Sequence, residues 1–292
     1  MKLFIITGQT ATGKTNYAIR LARQYKGELI NCDSRQIYKG LDIITGKDIP
    51  ISTKIWLYDI VDPKQYFSSY DYVSCALPVI KDIISRGKTP IIVGGTYFYL
   101  FHLLYEVTTQ HIKPDWKLRN NLNNKPVLKL QKMYKDLDLQ SFHLLNNSDK
   151  NNPQRLIRKI EILKTSSSMP LNSFGIPKEI ALSKKLGIDI QIEYRGFYYK
   201  NTADLLTNIK DRVEKRIKNR AIGEVKQLLK EGYSENDPGL KTIGYTQIIE
   251  YLKGKITKKQ AVENWISKEL QYAKRQYTFM KKDPHIVWRE II

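Results

Sequence analysis

Gly8-Gln9-Thr10-Ala11-Thr12-Gly13-Lys14-Thr15 constrains this chain more than any other stretch. Its spacing, G-x-x-x-x-G-K-[ST], works only between a strand and a helix. The apolar run Leu3–Thr7 supplies the strand, and the pattern after Thr15 supplies the helix. Glycines let backbone N–H groups turn inward around phosphate oxygens, and a helix N-terminus adds partial positive charge. Lys14 adds a point charge, and the Thr15 hydroxyl can ligate Mg²⁺. The loop states that phosphates bind here and leaves open whose phosphates they are.

The first hundred residues continue as such a loop requires. Leu29–Asn31, Trp56–Ile60 and Pro90–Val93 read as further strands. Tyr72, Val73, Ala76, Val79, Ile80 and Ile83 recur at helical spacing between them. Unbroken apolar runs alternating with helices give an α/β fold, a P-loop NTPase-like parallel sheet flanked by helices. Near residue 111 the chain turns rich in Asn, Lys and Ser, with prolines at 114, 126, 153, 170 and 177. We read 113–190 as a small helical insertion domain, and 1–112 with 191–292 as the core. Tyr194–Tyr199 returns the chain to the sheet. Leu206, Ile209, Val213, Ile217, Ala221, Val225 and Leu228 then read as one long helix ended by Gly232. Its other face carries Arg212, Lys215, Arg216, Lys218 and Arg220, either a solvated face or a nucleic-acid contact. Thr257-Lys258-Lys259-Gln260 is a capping box opening the last long helix.

Charge bears on the partner. The net charge is +20, from 49 Lys and Arg against 29 Asp and Glu. Residues 1–110 hold 13 basic and 9 acidic residues, a balance of +4, and residues 111–292 hold 36 and 20, a balance of +16. A polyanion is the physical expectation for the second part, and a generally lysine-rich composition is the alternative. Cys32 and Cys75 make no disulfide framework, and with His102, His111, His143 and His285 they offer no zinc spacing. No apolar run approaches the ~20 residues of a membrane helix. The start of the chain lacks a secretory or transit pattern, so a cytoplasmic protein is expected.

A nucleotide hydrolase usually carries an apolar strand ending in a metal-holding Asp. Pro90–Val93 runs instead into Gly94-Gly95-Thr96, although Asp59 does fall in the Trp56–Ile60 run. Asp33 follows the second strand, and C-terminal strand ends converge on one crevice in a parallel sheet. Asp33 should therefore face the phosphate loop, where a carboxylate can ligate metal, orient an Arg or accept a proton. Capping a helix is the structural alternative for Asp33 and Ser34.

At these residues the chain resembles the tRNA dimethylallyltransferases. Asp33-Ser34-Arg35-Gln36-Ile37-Tyr38 and Asp42-Ile43-Ile44-Thr45-Gly46-Lys47 match D-S-x-x-x-Y and D-I-x-T-x-K. Gly94-Gly95-Thr96-Tyr97-Phe98-Tyr99 matches G-G-T-x-x-Y, and Gln154-Arg155-Leu156-Ile157-Arg158 with Glu161 matches Q-R-x-x-R-x-x-E. Gly244-Tyr245 and Ala273-Lys274-Arg275-Gln276 match G-Y and A-K-R-Q. Gln9 stands where Pro is common, Gly46 where Ala is usual, and Lys159 where Ala is expected.

The resemblance implies transfer of a dimethylallyl group from dimethylallyl diphosphate to N6 of an adenine at position 37, adjacent to the anticodon of tRNA. It implies that Gly8, Thr10, Ala11, Thr12, Gly13, Lys14 and Thr15 hold the diphosphate, with Mg²⁺ on Thr15. Asp33 takes the amine proton, and Thr10 orients the leaving oxygen. Asp33, Ser34, Arg35, Gln36, Thr96, Arg119, Gln154, Arg155, Leu156, Ile157 and Arg158 fall at or near positions that touch the tRNA anticodon stem-loop. Arg155 and Arg158 share a helix face, and an ion pair with Glu161 is the alternative role for either. A monomer is expected. Three rival readings remain: a P-loop small-molecule kinase, an RNA-binding NTPase, and an adenylate isopentenyltransferase acting on free nucleotide.

Overall fold

The structure, a computed structural model, describes residues 1–47, 54–105, 109, 112–165 and 178–291. It divides into two compact units, Met1–Leu104 with Glu179–Ile292, and Tyr105–Lys178. The first unit opens with β1 (Lys2–Gly8), α1 (Lys14–Tyr25), β2 (Gly27–Asn31) and β3 (Ile55–Trp56). α2 (Ser69–Ser85), β4 (Thr89–Val93) and α3 (Tyr97–Leu104) follow. The smaller unit holds α4 (Trp116–Asn123), α5 (Val127–Leu137), α6 (Leu139–Leu144), α7 (Asn147–Lys150) and α8 (Pro153–Thr165). The first unit resumes through α9 (Lys178–Leu186), β5 (Gln191–Tyr199) and α10 (Thr202–Lys218). It ends with α11 (Ala221–Lys230), α12 (Tyr245–Leu252), α13 (Lys258–Met280) and β6 (Val287–Ile291).

The six strands form one all-parallel sheet in the order β3-β2-β4-β1-β5-β6. β1 is central, with Ile5 beside Ile92 on one side and Tyr194 on the other. Leu3 through Ile6 are fully buried, as a strand covered on both faces requires. One face packs on α1 through Phe4, Ile6, Ala18 and Leu21. A second core joins Ile37, Leu41 and Ile44 to apolar residues of α10 through α13, around the fully buried Trp265. The phosphate loop, Asp33, Gly94–Thr96 and Tyr199 all sit at the C-terminal ends of their strands.

Two expectations differ from the structure, and one strand was missed. The Trp56–Ile60 run pairs only at Ile55–Trp56, because Leu57 (φ 67) and Asp59 (φ 56) turn the backbone out of the ladder. Asp59 is thereby drawn to Lys47, whose Nζ donates to it at 2.5 Å, to Asp42 at 2.6 Å and to the Tyr38 carbonyl at 2.7 Å. The helix expected through Leu228 is two helices, broken where Arg220 takes a left-handed φ of 69. Its apolar period hides the break because both pieces pack on the same core. β6 was not read from the sequence at all.

The smaller unit has its own core of Leu122, Leu130, Tyr134, Phe142, Leu156, Ile157 and Ile160. The short helices α4, α6 and α7 are each capped, by Asp115 on Leu118 N–H, Asp138 on Ser141 N–H and Asn146 on Asp149 N–H. Short capped helices explain the loose spacing in the sequence. This unit spans Tyr105–Lys178, against the 113–190 read from composition, and α9 belongs with the sheet. Among the described residues, no helix is long and apolar enough to cross a membrane.

Candidate active site

The phosphate loop leaves β1 and enters α1 through Gly13, whose φ of 73 suits glycine. α1 has no side-chain cap, so its first N–H groups remain available to an anion. The buried Gln9 ties the loop down: its backbone N–H donates to Phe197 O at 3.0 Å, and its Oε1 accepts from Tyr199 N–H at 2.7 Å. Its Nε2 donates to Ala273 O at 3.4 Å. A proline here could make none of these bonds. Thr12 Oγ1 donates back to Gln9 O at 2.8 Å.

Lys14 folds over the same loop, its ammonium donating to Gln9 O. Burial and the Arg212 guanidinium bring this ammonium down to about 7, against the opposing pull of Asp33. A cation held in that state gains most from an arriving anion.

Thr10 is gripped from the far end of the chain. Its N–H donates to Gln276 Oε1 at 2.9 Å, and its Oγ1 accepts from Arg212. Gln276 Nε2 donates in turn to Gly95 O at 3.0 Å, so close that a Cβ on Gly95 would collide with it. These groups enclose a cleft of about 210 Å³, lined by Thr10–Asn16, Asp33, Gln36, Gly46, Arg212 and Gln276 among others. Asp33 and the phosphate loop thus meet as the parallel sheet implies.

Asp33 does not cap a helix. Its Oδ1 accepts from Arg35 N–H at 2.8 Å in a local turn, and its own N–H donates to Asn31 Oδ1 at 2.9 Å. Ser34 N–H donates to Thr96 Oγ1 at 2.9 Å, joining the loops after β2 and β4. Gln36 Nε2 donates to Thr45 O at 3.2 Å and Gly46 O at 2.9 Å. That turn is held from behind by Glu224, which accepts from the N–H groups of Asp42, Ile43 and Ile44 at 2.9, 2.6 and 3.2 Å.

Arg212 and Arg216 correct the reading of their helix face as solvated or RNA-facing. Arg212 reaches Thr10, while Arg216 is buried, donates to Glu269 at 3.3 Å and lies against Gly46. Neither they nor Gln276 was placed in the site from sequence. Gln276 was visible in A-K-R-Q without a role, and Arg212 only as one of five cations.

The other sequence candidates lie in the smaller unit. Arg119 donates to both oxygens of the fully buried Glu161, at 2.8 and 2.7 Å. Arg158 pairs with the same carboxylate, and its Nη2 donates to Thr109 O and Ile112 O, each at 3.1 Å. Arg155 pairs with Asp149 at 2.6 Å, and Gln154 Nε2 donates to Asn123 at 3.3 Å. Leu156 and Ile157 are core residues and present no side chain to a partner. Their place in the motif is explained by packing.

Among the described residues, no group of three or more His, Cys, Asp or Glu is arranged to hold a metal. A Mg²⁺ here would rest on the half-buried Thr15 hydroxyl and on oxygens of the bound phosphates. Hard oxygen ligands and retained waters suit that ion.

A sequence profile of the IPP transferase family matches residues 36–283. The chain belongs to this family. The match begins just past Asp33, and similarity to individual relatives extends over the phosphate loop as well. A tRNA dimethylallyltransferase of Thermoanaerobacter sp. (strain X514) is 32% identical across 99% of this chain and 91% of its own length. That of Carboxydothermus hydrogenoformans is 34% identical across 98% and 91%. The solved tRNA isopentenylpyrophosphate transferase of Bacillus halodurans superposes with a TM-score of 0.69 at 29% identity, covering 99% of this chain and 89% of that one. A eukaryotic dimethylallyltransferase solved acting on tRNA gives 0.75 at 25%, covering 99% and 73%.

Proposed function

We propose that this protein transfers a dimethylallyl group from dimethylallyl diphosphate to N6 of the adenine at position 37 of tRNA, releasing diphosphate. One observation carries the reading: the phosphate loop and the Asp33 carboxylate line a single cleft. The names of the relatives agree with it.

Allylic displacement breaks a C–O bond, and the diphosphate leaves with the electron pair. Lys14, Arg212 and the loop residues line the cleft in which that negative charge would gather, which supports electrostatic preorganisation. Arg212, holding Thr10 Oγ1, would place the hydroxyl beside the departing oxygen. Mg²⁺ bound to Thr15 and the diphosphate would offset further charge. The exocyclic amine of adenine is a weak nucleophile, and its proton must leave as the new N–C bond forms. Asp33 Oδ1 already accepts from Arg35, which leaves its second oxygen to take that proton. The target base is stacked in its loop and must be extruded to reach the cleft. The basic character of residues 111–292 fits an RNA partner.

A small-molecule kinase would use the same loop, and nothing in its chemistry needs an amine-facing carboxylate or a strongly basic second half. Incubation with labelled dimethylallyl diphosphate, unmodified tRNA and Mg²⁺ should label the RNA. ATP with small hydroxyl acceptors should give no turnover. Kinase activity without RNA labelling would remove the reading.

A further inference from the structure

Two sequence motifs outside the phosphate loop, Asp42–Lys47 and Gly244-Tyr245, meet at one side chain. Glu224 of α11 accepts through Oε2 from Asp42 N–H at 2.9 Å and Ile43 N–H at 2.6 Å. Its Oε1 accepts from Ile44 N–H at 3.2 Å and from the hydroxyl of the buried Tyr245 at 2.5 Å. Gly244, at φ 95, lets Ile44 approach, since a Cβ there would come within 2.5 Å of Ile44 Cγ2. Four donors converge on two oxygens, a pattern that a carboxylate can satisfy and an amide cannot.

The turn held in this way reaches the cleft. Its Thr45 and Gly46 carbonyls receive Gln36 Nε2 at 3.2 and 2.9 Å, and Gly46 and Gln36 both line the cleft with Asp33. At the far end of the turn Lys47, its side chain wholly covered, pairs with Asp42 and Asp59. Carbonyl oxygens only accept, so the Gln36 amide must keep its nitrogen on the turn. The place of that amide, three residues on from Asp33, therefore follows the turn, and the turn follows Glu224. The phosphate loop is fastened by other residues, Gln9 and Gln276.

We propose that Glu224 is a positioning residue for prenyl transfer, acting through the 42–46 turn to seat Gln36 beside Asp33. This rests on the prenyl-transfer reading and deepens it, since it gives a residue outside the cleft a share in the chemical step.

The test is a double-mutant cycle on Glu224 and Gln36, read as the single-turnover rate constant with tRNA limiting and enzyme and dimethylallyl diphosphate saturating. A misfolded fraction lowers the active concentration and leaves that constant untouched. Glu224→Gln sets an amide nitrogen against one pair of donors, so at least two of the four bonds are lost. The rate constant should fall about tenfold, less than the ~10² that follows a full ångström of misplacement. Gln36→Ala should lower it by a similar factor. The double variant should be no more than about twofold slower than Gln36→Ala alone, because residues acting through one another depart from additivity. Glu224→Asp, which keeps the charge and shortens the reach, should show the same coupling at smaller amplitude, and it serves if Glu224→Gln does not fold. Losses that multiply in the double variant, or an unchanged rate constant in the Glu224 variants that fold, would overturn the proposal. If wild type labels no RNA, the prenyl-transfer reading falls and takes this role with it. If wild type labels RNA and the losses multiply, only the role of Glu224 falls.

Discussion

Asp33 and Lys14 act on opposite charges in the same cleft, and each gives a measurement. Asp33→Asn keeps the shape and removes the base, so single-turnover prenyl transfer should fall at least ~10²-fold. Binding of tRNA should stay within several-fold by filter binding, and normal transfer would release Asp33 from its role. Lys14 sits at about 7 in the free protein. A bound diphosphate favours the ammonium and raises that value, so above about pH 7 binding must take up a proton. Affinity for inorganic diphosphate should therefore weaken roughly tenfold per pH unit from pH 7.5 to 9, with uptake seen by calorimetry in buffers of differing ionisation enthalpy. Flat affinity with no uptake would refute it. The loop and Asp33 were legible in the sequence because local spacing defines them. Arg212 and Gln276 were not, since which side of a helix meets a loop some two hundred residues earlier is decided by packing.

The helices show how a period can be right while an element is wrong. The apolar spacing in 206–228 was real, yet Arg220 breaks the run into α10 and α11, and no Gly or Pro marks the place. β3 likewise ended early because Leu57 and Asp59 take positive φ within a segment of strand-like composition, and Lys47 meets the turned-out Asp59. In the smaller unit, Arg158 of the Gln154–Arg158 motif joins Arg119 on the buried Glu161, while Gln154 and Arg155 stay partly or wholly exposed. Burial would raise the Glu161 carboxyl, but Arg119, Arg158 and the Asp115 N–H overcome this and hold it below the usual range. A carboxyl lowered by folding stabilises above its unfolded value and loses that contribution as pH falls through its folded one. Glu161→Gln should cost about 3 kcal/mol near pH 7 by urea unfolding. That difference should shrink as pH drops below about 4.5. A cost independent of pH would mean the charge is irrelevant.

Across the whole molecule, charge governs the encounter with RNA. Each phosphate contact contributes about 0.7–0.9 to the log–log slope of affinity against salt. Arg155, about two-fifths exposed and paired with Asp149, is the motif cation best able to reach a phosphate. Arg155→Ala should weaken tRNA binding and flatten the slope by about one such increment. An unchanged slope would leave Arg155 to its ion pair alone. The parallel sheet with helices and a helical insertion was legible throughout, because strand runs and the glycine loop are local signals. The closing of the cleft was not. Its two clamps on Thr10 come from α10 and α13, so a nascent chain that has reached only Tyr199 owns a phosphate loop without a counter-wall. Synthesis must pass Gln276 before the substrate has anywhere to settle, and loss of α13 should silence the enzyme while leaving its glycine motif intact.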